Sequence, residues 1–356
     1  MIEKQQKAWF SVALLKWDKV KNDRIMPWKG EKDPYRIWLS EIILQQTRVE
    51  QGTAYFQEFV TRFPTIHDLA KATDDEVFKL WEGLGYYSRC RNLIQTARFI
   101  SEQLSGDFPN TLEGLKQLKG VGGYTAAAIG SFAFGLPYAV VDGNVLRVLS
   151  RVFGVPEPID QRLGREKLDK IAQELIDVSN PGLYNQAIMD FGATVCKPKQ
   201  PICTDCPFAG RCIALKETKQ SFYPVKSPKK ASRNRWFYYL LLEHADGFCV
   251  RQRTEKDIWQ DLYEFILIES EHVQTEDEIT QHGYWGLTKK EFLRAKRTVS
   301  DEMIHVLTHQ RIHCRFVHQV VKSKIQLDGY HWVSNSQFKQ LPFPRMITRY
   351  LESMIQ

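Results

Sequence analysis

"CKPKQPICTDCPFAGRC", residues 196–212, holds four of the chain's seven cysteines, Cys196, Cys203, Cys206 and Cys212, in the spacing C-x6-C-x2-C-x5-C. What four thiols do so close together depends on the compartment. The opening stretch "MIEKQQKAWFSVALLKWDKVKN" is too charged for the apolar core of a signal peptide. No stretch approaches the apolar length that spans a bilayer. The expectation is a soluble, cytoplasmic chain, in which thiols stay reduced and a cysteine cluster reads as a metal site. Structural zinc usually takes two separated C-x2-C pairs. Here one pair is flanked by single cysteines, with Pro198, Pro201 and Pro207 bending the chain between them. Four thiolates so placed can also wrap an iron–sulfur cube, and on chemistry alone both answers stand.

Working outward, the 356 residues suggest about two domains. A composition of 43% hydrophobic and 26% charged residues is enough to bury ordinary cores. The net charge of +7 leans towards a polyanionic partner without proving one. Residues 1–215 read as helical. "DPYRIWLSEIILQQTRVEQGTAYFQEFVTRF" has apolar residues at helical spacing and no proline after Pro34. Thr73 or Asp74 caps the next helix, and Gly83 and Gly85 break it from the one after. From Lys216 to Arg235 there are seven Lys/Arg, one acid and two prolines, which reads as a basic linker over 216–235. Beyond it, "RWFYYLLLEHADGFCVRQR" reads as a hairpin turning at "DG". Further short apolar runs, "YEFILIES" and "HCRFVHQVVKS", make 236–356 a separate α+β domain.

Three positions in the helical part carry candidate chemistry. "LKGVGGYTAAAIG" places Gly120, Gly122 and Gly123 between two helices, over about 112–130. Such a turn exposes backbone N–H groups at a helix N-terminus, where a phosphate can sit. This helix–hairpin–helix pattern grips a nucleic-acid backbone without reading sequence. Asp142, in "VVDGNVLRVLSR", stands at the mouth of a helix; a lone Asp there is ordinarily an N-cap. Glu41, in "IWLSEIILQQT", lies among Trp38, Leu39, Ile42 and Ile43, with Gln45 one turn on. Burial among such groups disfavours the charged form and raises a carboxyl pKa, which suits a proton donor at neutral pH.

The cysteine spacing resembles the cluster loop of the endonuclease III-like helix–hairpin–helix DNA glycosylases. With "MPWKG" (26–30), "LSEIILQQTRV" (39–49), "LWEGLGYYSRCRNL" (80–93), "LKGVGGYTAAAI" (118–129) and "VDGNVLRVLSR" (141–151), the chain resembles the adenine DNA glycosylase (MutY) family over essentially its whole length. The resemblance implies a multidomain fold: an all-α helix–hairpin–helix glycosylase domain with an iron–sulfur cluster loop, then an α+β Nudix-like domain that reads 8-oxoguanine. It implies a [4Fe-4S] cluster on the four cysteines. The implied partner is double-stranded DNA with adenine opposite 8-oxoguanine or guanine. Other repair proteins could dock, and a monomer is the default. Glu41 would protonate adenine N7, and Asp142 would stabilise the sugar cation. Tyr124 and Asn144 would orient both. Tyr124 occupies the slot where bifunctional relatives carry a Schiff-base lysine, so a monofunctional glycosylase is expected. Gln46 and Tyr86 would wedge into the duplex. Arg24, Trp28 and Thr125 would join the hairpin glycines at the DNA, and Lys197, Lys199 and Arg211 would face phosphates.

Where the family reads 8-oxoguanine with Phe-Ser-His, this chain has Leu307, Thr308 and His309. Thr308 keeps the hydroxyl, while Leu307 replaces the aromatic ring. The Nudix signature helix with its metal-ligating glutamates is absent, so pyrophosphatase activity is not expected. His305 and His313 read as surface or structural residues, and Cys90, Cys249 and Cys314 as core thiols. Two rivals remain: a thymine mismatch glycosylase of the same superfamily, and a non-enzymatic, zinc-bound DNA-binding protein.

Overall fold

The computed structural model describes residues 4–228, 232–281 and 297–355. The chain divides into two compact units, Met1–Lys71 with Arg91–Pro228, and Ala72–Cys90 with Lys229–Gln356.

The first unit is helical. Its elements are α1 (Lys4–Lys21), α2 (Pro34–Ile43), α3 (Val49–Arg62), α4 (Ile66–Lys71), α6 (Ser88–Gln103, from Arg91 on), α7 (Leu112–Gln117), α8 (Gly123–Phe134), α9 (Gly143–Phe153), α10 (Arg162–Leu175), α11 (Pro181–Thr194) and α12 (Ile213–Lys216). α2 starts where Asp33 accepts from Tyr35 N and Pro34 takes the first helical position. It is buried nearly all round, from Tyr35 and Ile37 through Ile43, and such a helix belongs in a core. α8 can lie against it because residues Thr125 to Ser131 are small or slender, and all are buried. The helical spacing of residues 33–63 does not make one helix. It is interrupted after Ile43, and Gln46 takes a left-handed φ of 60° before α3 begins.

A second layer of core joins α1, α9, α10 and α11 to the cysteine loop. Phe208, from within that loop, is fully buried. It stacks on Phe10 at 4.4 Å and meets Phe191 edge-on at 5.0 Å. The segment expected to be a free linker from 216 is held to this unit as far as Pro228. Arg151 Nε donates to Tyr223 O (3.1 Å), Ile159 N to Val225 O (3.0 Å) and Ser227 N to Asp160 Oδ1 (3.0 Å). Residues 229–231 of that segment lie outside the described residues.

The second unit is α+β. Its strands are β1 (Arg233–His244), β2 (Gly247–Gln252), β3 (Tyr263–Glu264), β4 (Ile266–Ser270), β5 (Arg297–Val299), β6 (Met303–Val306), β7 (Gln310–Val320) and β8 (His331–Ser334). β1 and β2 form the expected hairpin, closing at His244 and Gly247. β1 runs parallel to β7 from Arg233 opposite Gln310 to Glu243 opposite Val320. A strand so placed is covered on both faces, which explains the uninterrupted run "FYYLLL". Tyr238, Leu240 and Leu242 pack with Ile279 of α13 (Glu276–Gln281). Tyr239 stacks on Phe316, and Phe316 on Tyr350 of α15 (Arg345–Ile355), whose predecessor α14 spans Asn335–Gln340.

The boundary drawn from sequence needs one correction. α5 (Asp74–Trp81), capped by a Thr73/Glu76 box, belongs to this second unit and not to the helical one. Tyr263 OH donates to Asp75 (3.3 Å), Lys79 Nζ to Leu341 O (3.1 Å), and Phe343 N to Glu82 (2.9 Å). Among the described residues, no helix is long and apolar enough to cross a membrane.

Truncating Phe208 should remove the tie between the cysteine loop and the helical core. We expect Phe208→Ala to cost about 3–5 kcal/mol in denaturant unfolding. A loss below 1 kcal/mol would show that the loop packs independently of Phe10 and Phe191.

Candidate active site

One open pocket in the helical unit is lined by Glu41, Leu44, Gln45, Gln46, Tyr124, Val141, Asp142, Gly143 and Arg165. Four chain segments meet there, the fourth being α10, which contributes Arg165. α2 delivers Glu41 from its last turn, and the turn that stops α2 carries Gln45 and Gln46. The hairpin delivers Tyr124 at the start of α8, and the N-terminus of α9 delivers Asp142.

Glu41 is only 6% exposed. Burial pushes its pKa up to about 7, against a hydrogen bond from Tyr124 that favours the charged form and with a further push from the Asp142 charge. Desolvation beside these carboxyls also keeps the Tyr124 phenol neutral, raising its pKa well above the usual value. Its hydroxyl lies 3.9 Å from Met189 Sδ. Gln45 continues the site from the turn and not from the helix face, donating to Thr125 Oγ1 at 3.2 Å.

Asp142 is the N-cap of α9, the ordinary role for an Asp there, and still reaches the pocket. Oδ1 accepts from Val145 N (2.7 Å) and Oδ2 from Asn144 Nδ2 (2.7 Å). Burial raises its pKa, while these hydrogen bonds and the Arg147 charge oppose the rise. Asn144 is held in turn, its Oδ1 accepting from Arg147 Nη2 (2.8 Å). Arg147 also donates to Gly192 O (2.7 Å) and Cys196 O (2.8 Å). The carboxylate is thus joined to the first cysteine through two side chains of one helix.

The hairpin has the expected form. Gly120 has φ 77°, and a Cβ there would lie 2.7 Å from Asn92 Cβ. Gly122 caps α8 with no side-chain bond, and Gly122 and Gly123 are exposed with open space around them. The first N–H groups of α8 therefore face outward, as an anion site requires. Gln46 and, in the second unit, Tyr86 are exposed and left-handed, at φ 60° and 48°. For residues other than glycine that conformation is strained, and such strain gathers at functional positions.

Three residues expected at the DNA make contacts within the helical unit, and two of them, Trp28 and Thr125, are buried. Trp28 is 8% exposed and meets Phe56 edge-on at 5.5 Å. Arg24 pairs with the fully buried Asp190 at 2.8 Å, alongside Lys29 at 3.0 Å. Thr125 is buried and holds Gln45. Lys197, Lys199 and Arg211 are exposed, and Arg211 lies over the Trp9 ring at 4.8 Å.

The four cysteines line one small cavity with Arg151, Phe191, Phe208 and Ile202. Burial pushes the thiols of Cys203, Cys206 and Cys212 up, Cys206 to about 12. Left alone they are neutral and inert; ligation of a metal is what makes such thiols thiolates. An all-thiol donor set in an apolar wall fits a soft metal centre. Cys90, Cys249 and Cys314 are buried elsewhere.

In the second unit, residues Leu307–Gln310 form the tight turn between β6 and β7, with Leu307 N donating to Gln310 O (2.8 Å). Thr308 and His309 are exposed and Leu307 half-buried. Thr308 Oγ1 is 2.8 Å from Tyr86 OH. Arg235, saturated by Asp257 and Glu269, also donates to Gln310 (2.9 Å) and so anchors the stem of the turn. His305 meets Trp259 edge-on at 5.8 Å, and His313 stacks on Trp236 at 5.2 Å, both structural places.

Sequence reading missed Arg165 at the pocket and the roles of Arg147, Arg151 and Asp190. Only the arginines left a signal: they stand four apart in the otherwise apolar "VLRVLSR".

The family model described as "HhH-GPD superfamily base excision DNA repair protein" matches residues 39–174, and a NUDIX domain model matches 237–353. The adenine DNA glycosylase of Buchnera aphidicola subsp. Schizaphis graminum (strain Sg) is 36% identical over 256 residues, covering 72% of this chain and 74% of the relative. The chain belongs to the adenine DNA glycosylase family. The Homo sapiens adenine DNA glycosylase is 44% identical over 221 residues, 59% of this chain and 40% of the human protein. Among solved structures, that of a thermostable thymine-DNA glycosylase has a TM-score of 0.55 at 28% identity, covering 60% of this chain and 98% of its own. The family's two-part fold, a helix–hairpin–helix unit and a Nudix-like unit, is therefore what the two units are.

Because the folded pKa of Glu41 lies above its usual 4.5, its contribution to stability is full below pH 4.5 and is lost as pH rises through about 7. Glu41→Gln removes the charge that burial opposes. The variant should be more stable than the wild type at pH 8, by on the order of 3 kcal/mol, with the gain vanishing near pH 4. An equal difference at both pH values would show that ionisation of Glu41 is not what destabilises the site.

Proposed function

We propose that the chain is a monofunctional DNA glycosylase that flips adenine out of a duplex, opposite 8-oxoguanine or guanine, and hydrolyses its bond to the sugar. What carries the reading is the pairing, in a chain of this family, of a buried Glu41 whose proton is retained near neutral pH with a hydrogen-bonded Asp142 in the same pocket. A base must leave the stack to reach either group. Glu41 gives its proton to adenine N7, which turns the base into a good leaving group. The C1′–N9 bond breaks with its electron pair going to the base, and positive charge develops on the sugar. Asp142, fixed by Val145 N and Asn144, faces that charge as a carboxylate. Its charge in turn keeps Glu41 protonated until the base arrives; two carboxyls of unlike protonation state divide the work. Water adds at C1′, its proton passing to the Glu41 carboxylate and restoring the acid, and an abasic site is left. Tyr124, in the place of a Schiff-base lysine, cannot form an imine, and the described residues lining the pocket include no lysine.

The exposed amides before α8 fit a DNA phosphate, and Gln46 and Tyr86 fit a wedge into the duplex. Thr308 fits a reader of the opposite base. The four cysteines would hold a [4Fe-4S] cluster, whose chemistry here is structural: with all four thiolates used as ligands, no iron site is open to substrate. The catalytic groups all come from one chain, which suits a monomer working on DNA inside the cell. A second reading, thymine excision opposite guanine, is favoured by the likeness to the thymine-DNA glycosylase structure, although that protein covers only 60% of this chain.

Single-turnover assays on duplexes with adenine opposite 8-oxoguanine, adenine opposite guanine and thymine opposite guanine separate these readings. We expect adenine release, seen as strand breaks only after alkali. Release of thymine, or nicking without alkali, would contradict the proposal. Glu41→Gln should lower the rate at least a hundredfold while duplex binding is retained. Thr308→Val should lower the preference for 8-oxoguanine over guanine several-fold, about 1 kcal/mol for one hydrogen bond; an unchanged ratio would remove Thr308 from the reader.

A further inference from the structure

Arg151 is 2% exposed, and a charge taken that far from water costs several kcal/mol unless an opposite charge compensates it. All three of its nitrogens donate: Nε to Tyr223 O (3.1 Å), Nη1 to Lys197 O (2.7 Å), Cys196 O (3.4 Å) and Cys196 Sγ (3.4 Å), and Nη2 to Pro198 O (3.0 Å). Carbonyls satisfy the hydrogens but carry no net charge. Among the described residues no carboxylate lies within salt-bridge distance of Arg151. One helical turn earlier, Arg147 is also buried, 8% exposed; it feels Arg151 as a like charge and Asp142 as an opposite one. Its donors likewise end on carbonyls and on Asn144. Two buried guanidiniums stand on adjacent turns of α9, and among the described residues only Arg147 has an acid, Asp142, acting on it; Arg151 is left to pair with an anion. The groups beside it are the cysteines: Arg151 lines their cavity, and Cys212 Sγ lies 3.4 Å from Arg151 O.

We infer that Arg151 is the counter-ion of the iron–sulfur cluster, fixing its net negative charge in the fold and holding its reduction potential up through the N–H···S bond to Cys196. The inference rests on the iron–sulfur reading of the four cysteines. An iron–sulfur cube on four thiolates is an anion overall, so it supplies the charge Arg151 lacks. Hydrogen bonds and positive charge at the ligating sulfurs favour the form with one more electron, and both are recognised controls of cluster potential. Four of the five bonds also tie residues 196–198 to α9, so the same side chain shapes the loop and balances its charge. Lysine could keep the charge but not the fork that reaches three carbonyls and a sulfur together.

The test uses the full-length protein, with Arg151→Gln and Arg151→Lys. Iron per chain, the midpoint potential of the bound cluster, and thermal unfolding before and after iron is stripped by a chelator are compared. The wild type is expected to hold iron. Arg151→Gln should hold less of it, lose it faster to chelator, and show a more negative midpoint potential in what remains. Arg151→Lys should fall between. The loss of melting temperature in Arg151→Gln should be larger with iron bound than after stripping. Iron content and potential equal to wild type in both variants would overturn the inference. So would a loss of melting temperature that is the same with and without iron, since Arg151 would then only tie carbonyls together. A wild type purified with zinc or with no iron would instead overturn the iron–sulfur reading, and the counter-ion role with it.

Discussion

A carboxyl group kept in the interior of a helix that water does not reach is the constraint on which the rest of this protein turns. α2 is buried on nearly every side, and Glu41 is its one charged residue within that buried run. Placing an ionisable group there opposes stability once it charges, and the fold accepts that cost at the end of a helix packed against the small side chains of α8. The neighbours then follow from the need to keep the proton useful. Tyr124 hydrogen-bonds the carboxyl without being able to take its proton near neutrality. Asp142 supplies a negative charge that raises the pKa of Glu41 further. The break after Ile43 opens the pocket directly beside Glu41, which is why the helical pattern of residues 33–63 stops short there.

α9 is the second organising element. Its first turn presents Asp142, its second carries Arg147, and its third carries Arg151. Hydrogen bonds run from Asp142 through Asn144 and Arg147 to the carbonyl of Cys196. The cysteine loop is in turn packed into the core by Phe208. A loop far from the pocket in sequence therefore sets where the α9 N-terminus sits. Under the proposed function, the cysteine loop would bear on catalysis through the helix it braces, without touching substrate.

Much of this was legible because it is local. The cysteine spacing, the three glycines of the hairpin, a glutamate inside "IWLSEIIL" and an aspartate before "GNVLRVLSR" each state their environment within a dozen residues. The hairpin of β1 and β2 and the buried run of β1 were readable for the same reason. What sequence did not show was direction and distance. Arg24 and Trp28 were expected at DNA; sequence did not show that Arg24 pairs with the buried Asp190, about 160 residues on, or that Trp28 packs edge-on against Phe56. Thr125 reads as part of the exposed hairpin, yet it is on the α8 face turned towards α2. The assignment of residues 72–90 to the second unit depends on bonds such as Asp75 to Tyr263, 188 residues apart, which no local pattern encodes. Arg147 and Arg151, two cations in an apolar helix, were a readable sign of a buried electrostatic site that composition alone passes over.

The claim that burial holds the Glu41 proton near neutral pH can be tested without turnover, by carbon-13 NMR of the side-chain carboxyl in protein labelled at glutamate and assigned with Glu41→Gln. Titration with a midpoint near 7, well above the other glutamates, is the result this account predicts. A midpoint near 4.5, with Glu41 already ionised at pH 6, would contradict it and leave the proposed mechanism without its proton donor.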